Sequence, residues 1–324
     1  MMKKNCNFLG IVILLSLLSA CSATTPPEPI TMKVGLNLWP GYYPLFVAQG
    51  KDLYAPHHLQ IEQKIYGDIG EVVQDLQTHK LDVGFVTISD ALTLDSRNPG
   101  SFKVVLGTDY SNGSDMVIAR SDIKNITDLR GKRVGLSLGT FGELFVRKML
   151  ESQKMTMDDI RLVNTNASEI PDAIPALIDA GQTFEPYASQ GLAKEYHVLF
   201  SSADTPGLIP GVVVFRNSFV QEHPEAVRTF IKVWFEAQEY WQAHPTESNE
   251  LITKATGLKL SEISTDGIKL LNLADNLKAF NVSTDATSLY GSGQINSDFL
   301  LEAGIVNNVP DIKRVLDPSF LTEK

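Results

Sequence analysis

The sequence predicts an α/β protein of two lobes joined by a hinge of two crossing strands, and three observations carry that reading. From Met32 to about Arg120, short β-rich runs alternate with stretches of helical period, and the alternation restarts after Ile126–Lys132. An apolar strand at Val212–Phe215 then opens a helix-rich tail that would return to the first lobe. The roughly 300 residues involved are more than one hydrophobic core usually organises. The expected division is 32–118 with 212–324 for the first lobe and 119–211 for the second.

In the first lobe, Lys33–Leu38, Gln60–Tyr66, Val83–Thr87 and Lys103–Leu106 read as strands, with helices at Leu45–Asp52 and Gly70–Thr78. Met116–Arg120 is a further strand that, with Val212–Phe215, would join the lobes. The second series runs through the strand Arg133–Leu138, the helix Glu143–Gln153, the strand Arg161–Asn164, the helix Glu169–Leu177, and the strands Asp179–Gln182 and His197–Phe200. Ser218 and Gln221 have capping-box spacing. Pro224 suits a first helical turn, and Val227, Phe230, Ile231, Trp234 and Trp241 follow on one helical face. Glu262–Phe280 and Ser297–Ala303 read as helices.

The chain opens with Lys3 and Lys4, then an apolar run from Phe8 to Leu18 that is short for a membrane span. It closes on Leu18-Ser19-Ala20-Cys21, which resembles the bacterial lipobox. Residues 1–20 are therefore expected to be a cleaved leader, with Cys21 lipidated as a membrane anchor. Residues 21–31, rich in Thr and Pro, would be an extended tether. Ser22 rather than Asp after the cysteine favours the outer membrane in a two-membrane envelope. The chain has 2 cysteines, and Cys6 leaves with the leader, so the mature protein has no disulfide.

The 28 Lys and Arg face 38 Asp and Glu, a formal net charge of -10, with no basic run to track phosphates. Nucleic acid is thereby excluded as a partner. The histidines are scattered without metal-ligand spacing, and no motif calls for a cofactor. Gly135-Leu136-Ser137-Leu138-Gly139 has the letters of a serine-hydrolase elbow. However, Ser137 reads as a strand residue with the turn later, and no histidine follows His244, so an enzyme is not expected.

Four segments carry a resemblance over almost the whole mature chain: Asn37-Leu38-Trp39-Pro40-Gly41-Tyr42-Tyr43-Pro44-Leu45; Asp109–Asp115 with Asp128–Gly135; Asp179–Tyr187; and Leu199–Gly207 with Val212–Val214 and Pro224–Val227. They resemble the type II periplasmic binding proteins of the nitrate, sulfonate, taurine and thiamine-precursor group, the substrate-binding components of ABC transporters. The resemblance implies an extracytoplasmic protein that closes on a small solute and hands it to an ABC permease. The alternative use of the same fold is a sensor presenting its closed form to a membrane receptor. Tyr43 stands where close relatives often carry Glu, which would alter the charge beside Tyr42.

In an open α/β sheet the ligand lies beyond the C-terminal ends of strands, at helix amino ends. Trp39, Gly41 and Tyr42 follow the first strand, and Thr87, Ser89 and Asp90 follow the Val83 strand. Ser111 precedes the hinge strand, Gly139, Thr140 and Phe141 follow the Arg133 strand, and Phe184 and Glu185 follow the Asp179 strand. Trp39 and Phe184 would stack on a flat solute. Glu185 could pair with an amine or ring N–H, and Gly139–Phe141 would offer backbone N–H groups. No Lys or Arg falls in these loops, while Asp90, Asp115 and Glu185 lie in or near them, so a neutral or cationic organic solute is expected.

Overall fold

The computed structural model describes residues 28–322. The expected leader, Cys21 and most of the tether lie outside the described residues. Ordered structure begins earlier than Met32, because Ile30 already pairs in a strand.

The first lobe opens with β1 (Ile30–Asn37), α1 (Pro44–Gly50), β2 (Leu59–Tyr66), α2 (Ile69–Gln77), β3 (Val83–Thr87), α3 (Ile88–Arg97) and β4 (Phe102–Ser111). The second contains β5 (Asp115–Ala119), β6 (Arg133–Leu136), α4 (Phe141–Ser152), β7 (Arg161–Asn164), α5 (Ile170–Ala173), β8 (Ala180–Phe184), α6 (Tyr187–Leu192) and β9 (His197–Ser201). The chain then returns through β10 (Pro210–Arg216), α7 (Asn217–Glu222), α8 (Pro224–Ala243), α9 (Pro245–Thr256), β11 (Ile268–Leu270), α10 (Leu273–Ala279), α11 (Leu289–Glu302) and α12 (Ile312–Val315).

The strands form a 6-stranded sheet in the order β11-β4-β10-β3-β1-β2 and a 5-stranded sheet in the order β7-β6-β8-β5-β9. Parallel pairing of β1 with β2 and β3, and of β6 with β7 and β8, reflects βα crossovers; β10 and β5 run antiparallel to their neighbours. Because β5 pairs entirely within the second sheet, the chain crosses at residues 112–114, ahead of the expected division at 118 and 119. The return crossing ends at Pro210, which already pairs with Tyr110, rather than after residue 211.

The core of the first lobe is aromatic. Phe230 on α8 packs against Tyr54, Phe85 and Phe215 at ring-centroid distances of 5.9, 6.2 and 5.6 Å, and Trp234 lies 5.4 Å from Phe85. The helical spacing read for Val227 to Trp241 corresponds to the buried face of α8.

Several elements differ from expectation for local reasons. The Glu169–Leu177 helix stops at Ala173, because Pro175 has no N–H to donate and crowds the preceding turn. Glu262–Phe280 is not one helix. Gly267, at φ +73°, turns the chain into β11, and Asn272 caps the separate α10. Ser218 does not cap α7; Arg216 occupies the N-cap position, and its guanidinium donates to the Ser218 hydroxyl at 3.1 Å. Strand β6 ends at Leu136, so Ser137 stands outside it. Among the described residues, no helix is long and apolar enough to cross a membrane.

Candidate functional site

The two sheets meet around a narrow cleft lined by Asn37, Trp39, Tyr42, Ile69, Thr87, Asp109, Asp115, Phe141, Phe184, Ile209 and Gly211. Both lobes contribute. Trp39, in the turn after β1, meets Phe184 at the end of β8 edge to face, with centroids 5.8 Å apart and planes at 78°. Tyr42 leans on Phe85 at 5.0 Å and is fixed by the Pro40–Tyr42 turn.

A buried carboxylate holds this wall together. Asp109 near the end of β4 accepts the Trp39 indole N–H at 3.0 Å and the Thr108 hydroxyl at 2.7 Å. Two glycines let the backbone close around it. A Cβ on Gly41 would fall 2.1 Å from Asp109 Oδ2, and one on Gly211 would fall 2.5 Å from the same oxygen. Gly41 therefore serves the site by its lack of a side chain rather than by lining the cleft.

Asp115, the first residue of β5, is 1% exposed, and its Oδ1 has no hydrogen-bond partner. Asn37 Oδ1, at the end of β1, is likewise buried and unpartnered. Burial pushes the Asp109 carboxyl up to about 6 despite the bonds from Thr108 and Trp39. Burial, reinforced by Asp109, pushes Asp115 up to about 7. The Tyr42 hydroxyl is raised by burial and then by Asp109, Asp90 and Asp115. Among the described residues, no Lys or Arg lines the cleft. Such acceptors without donors cost free energy unless a proton or a bound donor satisfies them.

Three helices begin at the cleft, and each amino end is occupied by a carboxylate of the chain itself. Asp68 caps α2 through the Gly70 N–H at 2.7 Å. Asp90 and Thr87 form a capping box on α3, with Asp90 Oδ2 accepting the Thr87 N–H at 3.0 Å and its hydroxyl at 2.6 Å. At α4, Glu143 accepts the Gly139 N–H at 3.1 Å, and the Thr140 hydroxyl accepts the Gly142 N–H at 3.2 Å. Part of the N–H set at each of these helix starts is thereby engaged by the chain's own side chains.

Of the residues anticipated from sequence, Trp39, Tyr42, Thr87, Phe141 and Phe184 come together as lining. The others lie elsewhere. Ser89 is buried in α3, Asp90 caps that helix, and Gly139 and Thr140 shape the turn into α4. Ser111 pairs with Ser202 at 2.7 Å and ties the two crossings to each other. Glu185 is turned onto α6, where its carboxylate accepts the Ser189 N–H and hydroxyl at 3.2 and 3.0 Å. Tyr43 is 0% exposed and packs on Phe46 and Trp241, so its identity leaves the cleft lining unchanged. Sequence reasoning missed Asn37, Asp109, Ile69, Ile209 and Gly211 as lining and left Asp115 as a neighbour. The available signal was position: Asn37 ends β1, and Asp109 lies next to the end of β4.

Among the described residues no group of His, Cys, Asp and Glu is placed to hold a metal ion.

A family model described as NMT1/THI5 like matches residues 39–248. A Brucella abortus (strain 2308) protein, provisionally named a binding protein, is 29% identical over 281 residues, 84% of this chain and 83% of its own. The riboflavin-binding protein RibY of Chloroflexus aurantiacus is 24% identical over 357 residues, covering 99% of each chain. An Aspergillus parasiticus relative, 23% identical and covering 69% of each chain, is named a 4-amino-5-hydroxymethyl-2-methylpyrimidine phosphate synthase, so the relatives include a named enzyme. Among solved structures, the alkanesulfonate-binding protein SsuA from Xanthomonas axonopodis pv. citri, bound to MOPS, matches with a TM-score of 0.74 at 13% identity, over 90% of this chain and 99% of its own. The fold is that of the type II periplasmic binding proteins.

Proposed function

The chain belongs to the NMT1/THI5-like family, and on that premise we propose that it is an extracytoplasmic lipoprotein that captures a neutral or cationic organic solute between its lobes by hinge closure and delivers it to an ABC permease. The observation that carries the solute class is the pair of buried carboxylates, Asp109 and Asp115, in an aromatic cleft whose lining, among the described residues, holds no Lys or Arg. A protonated amine or a ring N–H would give Asp115 Oδ1 and Asn37 Oδ1 the donors they lack. A nitrate or sulfonate would meet the carboxylates of Asp109 and Asp115 instead.

Closure is supported by the placement of the lining on both sheets, since a solute touched by both lobes favours the shut arrangement. Lipidation is supported by Lys3, Lys4, the apolar run to Leu18 and Cys21. A binding role rather than catalysis is supported by Ser137, whose hydroxyl is bonded to Asp68 instead of a histidine base.

A thermal-unfolding screen tests this reading, using riboflavin, aminopyrimidines, small amines, ethanesulfonate and nitrate at saturating concentration. A compound at a thousandfold excess over its Kd stabilises by roughly 4 kcal/mol. Amines or N–H-bearing rings are expected to raise Tm, and Asp115→Asn is expected to remove that rise. Stabilisation by nitrate or ethanesulfonate alone would overturn the solute class.

A further inference from the structure

We propose that Ser137 is a positioning residue for closure, a latch whose hydroxyl donates across the mouth of the cleft to the Asp68 carboxylate and holds the two lobes together. This rests on the closure reading above and adds what sets the balance between open and shut. Ser137 follows β6 in the second lobe and Asp68 precedes α2 in the first; the hydroxyl lies 3.2 Å from Asp68 Oδ2. The other oxygen, Oδ1, accepts the Gly70 N–H at 2.7 Å. The acceptor is thus fixed by its own lobe before the donor arrives. Burial pushes the Asp68 carboxyl up, with Glu71 and Glu169 adding to the rise, while the bonds from Gly70 and Ser137 oppose it.

The flanking glycines have separate reasons to be there. A Cβ on Gly135 would come within 2.7 Å of Ile178 and 2.8 Å of Ile170, so its absence serves packing. Gly139, at φ +76°, turns the chain towards α4. The hydrolase-like spacing of the motif is accounted for without a nucleophile, and its serine is left to bridge the lobes. Neither Ser137 nor Asp68 lines the cleft, although the next residue, Ile69, does. Loss of the latch therefore leaves the solute contacts intact.

Among the described residues, and away from the hinge where Ser111 meets Ser202, side-chain contacts that cross the seam include Trp39 on Phe184 and the Arg147 guanidinium 5.3 Å from the Phe299 ring. A hydrogen bond to an ionised acceptor is worth about a tenfold factor in an equilibrium constant. Its loss should be measurable against these two.

Acrylamide quenching of tryptophan emission tests the latch in the purified protein without any solute. Of the 3 tryptophans, Trp39 sits on the seam, whereas Trp234 and Trp241 lie in the core of the first lobe. The Trp39 component is the difference from a Trp39→Phe background. Ser137→Ala is expected to raise its quenching constant at least about twofold by shifting the population towards open, and Ser137→Thr, which keeps the hydroxyl, to restore the wild-type value. Arg147→Ala removes a different seam contact and is also expected to raise it. If Arg147→Ala raises quenching and Ser137→Ala does not, the latch is wrong and closure stands. If neither variant moves Trp39, the solute-free lobes are not held shut by the Ser137–Asp68 bond and the latch is wrong.

Discussion

Asp109 and Asp115 are carboxylates buried without a cation, and burial holds them at about 6 and 7, with Asp90 also at about 6. In the unfolded chain each returns to 3.8. The native state therefore keeps protons that the unfolded state has lost between about pH 4 and pH 7. The contribution of these groups to stability is full below the unfolded value and is lost as pH rises through 6 and 7. Asp75 and Asp179, held at about 2 by Lys80 and Arg133, act in the opposite sense, with a contribution that is lost only as pH falls below about 4. The unliganded protein is thus expected to melt at a higher temperature at pH 5 than at pH 7.5, and Asp115→Asn is expected to flatten that slope. A wild-type Tm that is level or rises over the same interval would contradict the assigned burial. The aromatic part of the cleft was legible in the sequence, since Trp39, Tyr42 and Phe184 follow strands directly. Asp109 was not singled out, because Trp39, Gly41 and Gly211, which mark it as a site residue, reach it only through tertiary packing.

At the scale of elements, hydrophobic period located most strands and α8 from sequence, and errors arose where small residues have tertiary reasons. Strand β4 read as ending at Leu106; it continues to Ser111 by pairing with β10 and β11, and that extension places Asp109 in the cleft. Helix α11 read as starting at Ser297, whereas it begins at Leu289. Gly291 lets the helix pass against the backbone of Asp285, where a Cβ would fall 2.1 Å from its carbonyl oxygen. Helix α8 carries the packing of the first lobe, and Phe230→Ala would leave a void among Tyr54, Phe85 and Phe215. The expected loss is about 3–5 kcal/mol in urea unfolding with an unchanged m-value. A loss below about 1 kcal/mol would mean that the lobe's core lies elsewhere.

At the scale of the whole molecule, two sheets joined by two crossings place acceptors from one lobe opposite aromatic rings from the other. The crossings are tied by the Ser111–Ser202 pair, and the Asn112 N–H donates to Gly267 at 2.8 Å, so the hinge carries its own hydrogen bonds. A solute that supplies N–H donors satisfies Asp115 and Asn37 only where the lobes meet, which couples binding to closure. The most direct test is isothermal titration, at pH 7.5, of the compound that stabilises the protein most into wild type and Asp115→Asn. The account predicts an amine or N–H-bearing ring whose Kd weakens at least about tenfold in the variant, the worth of a charge-assisted hydrogen bond. Equal affinity for the two proteins, or tight binding of nitrate by the wild type, would contradict it.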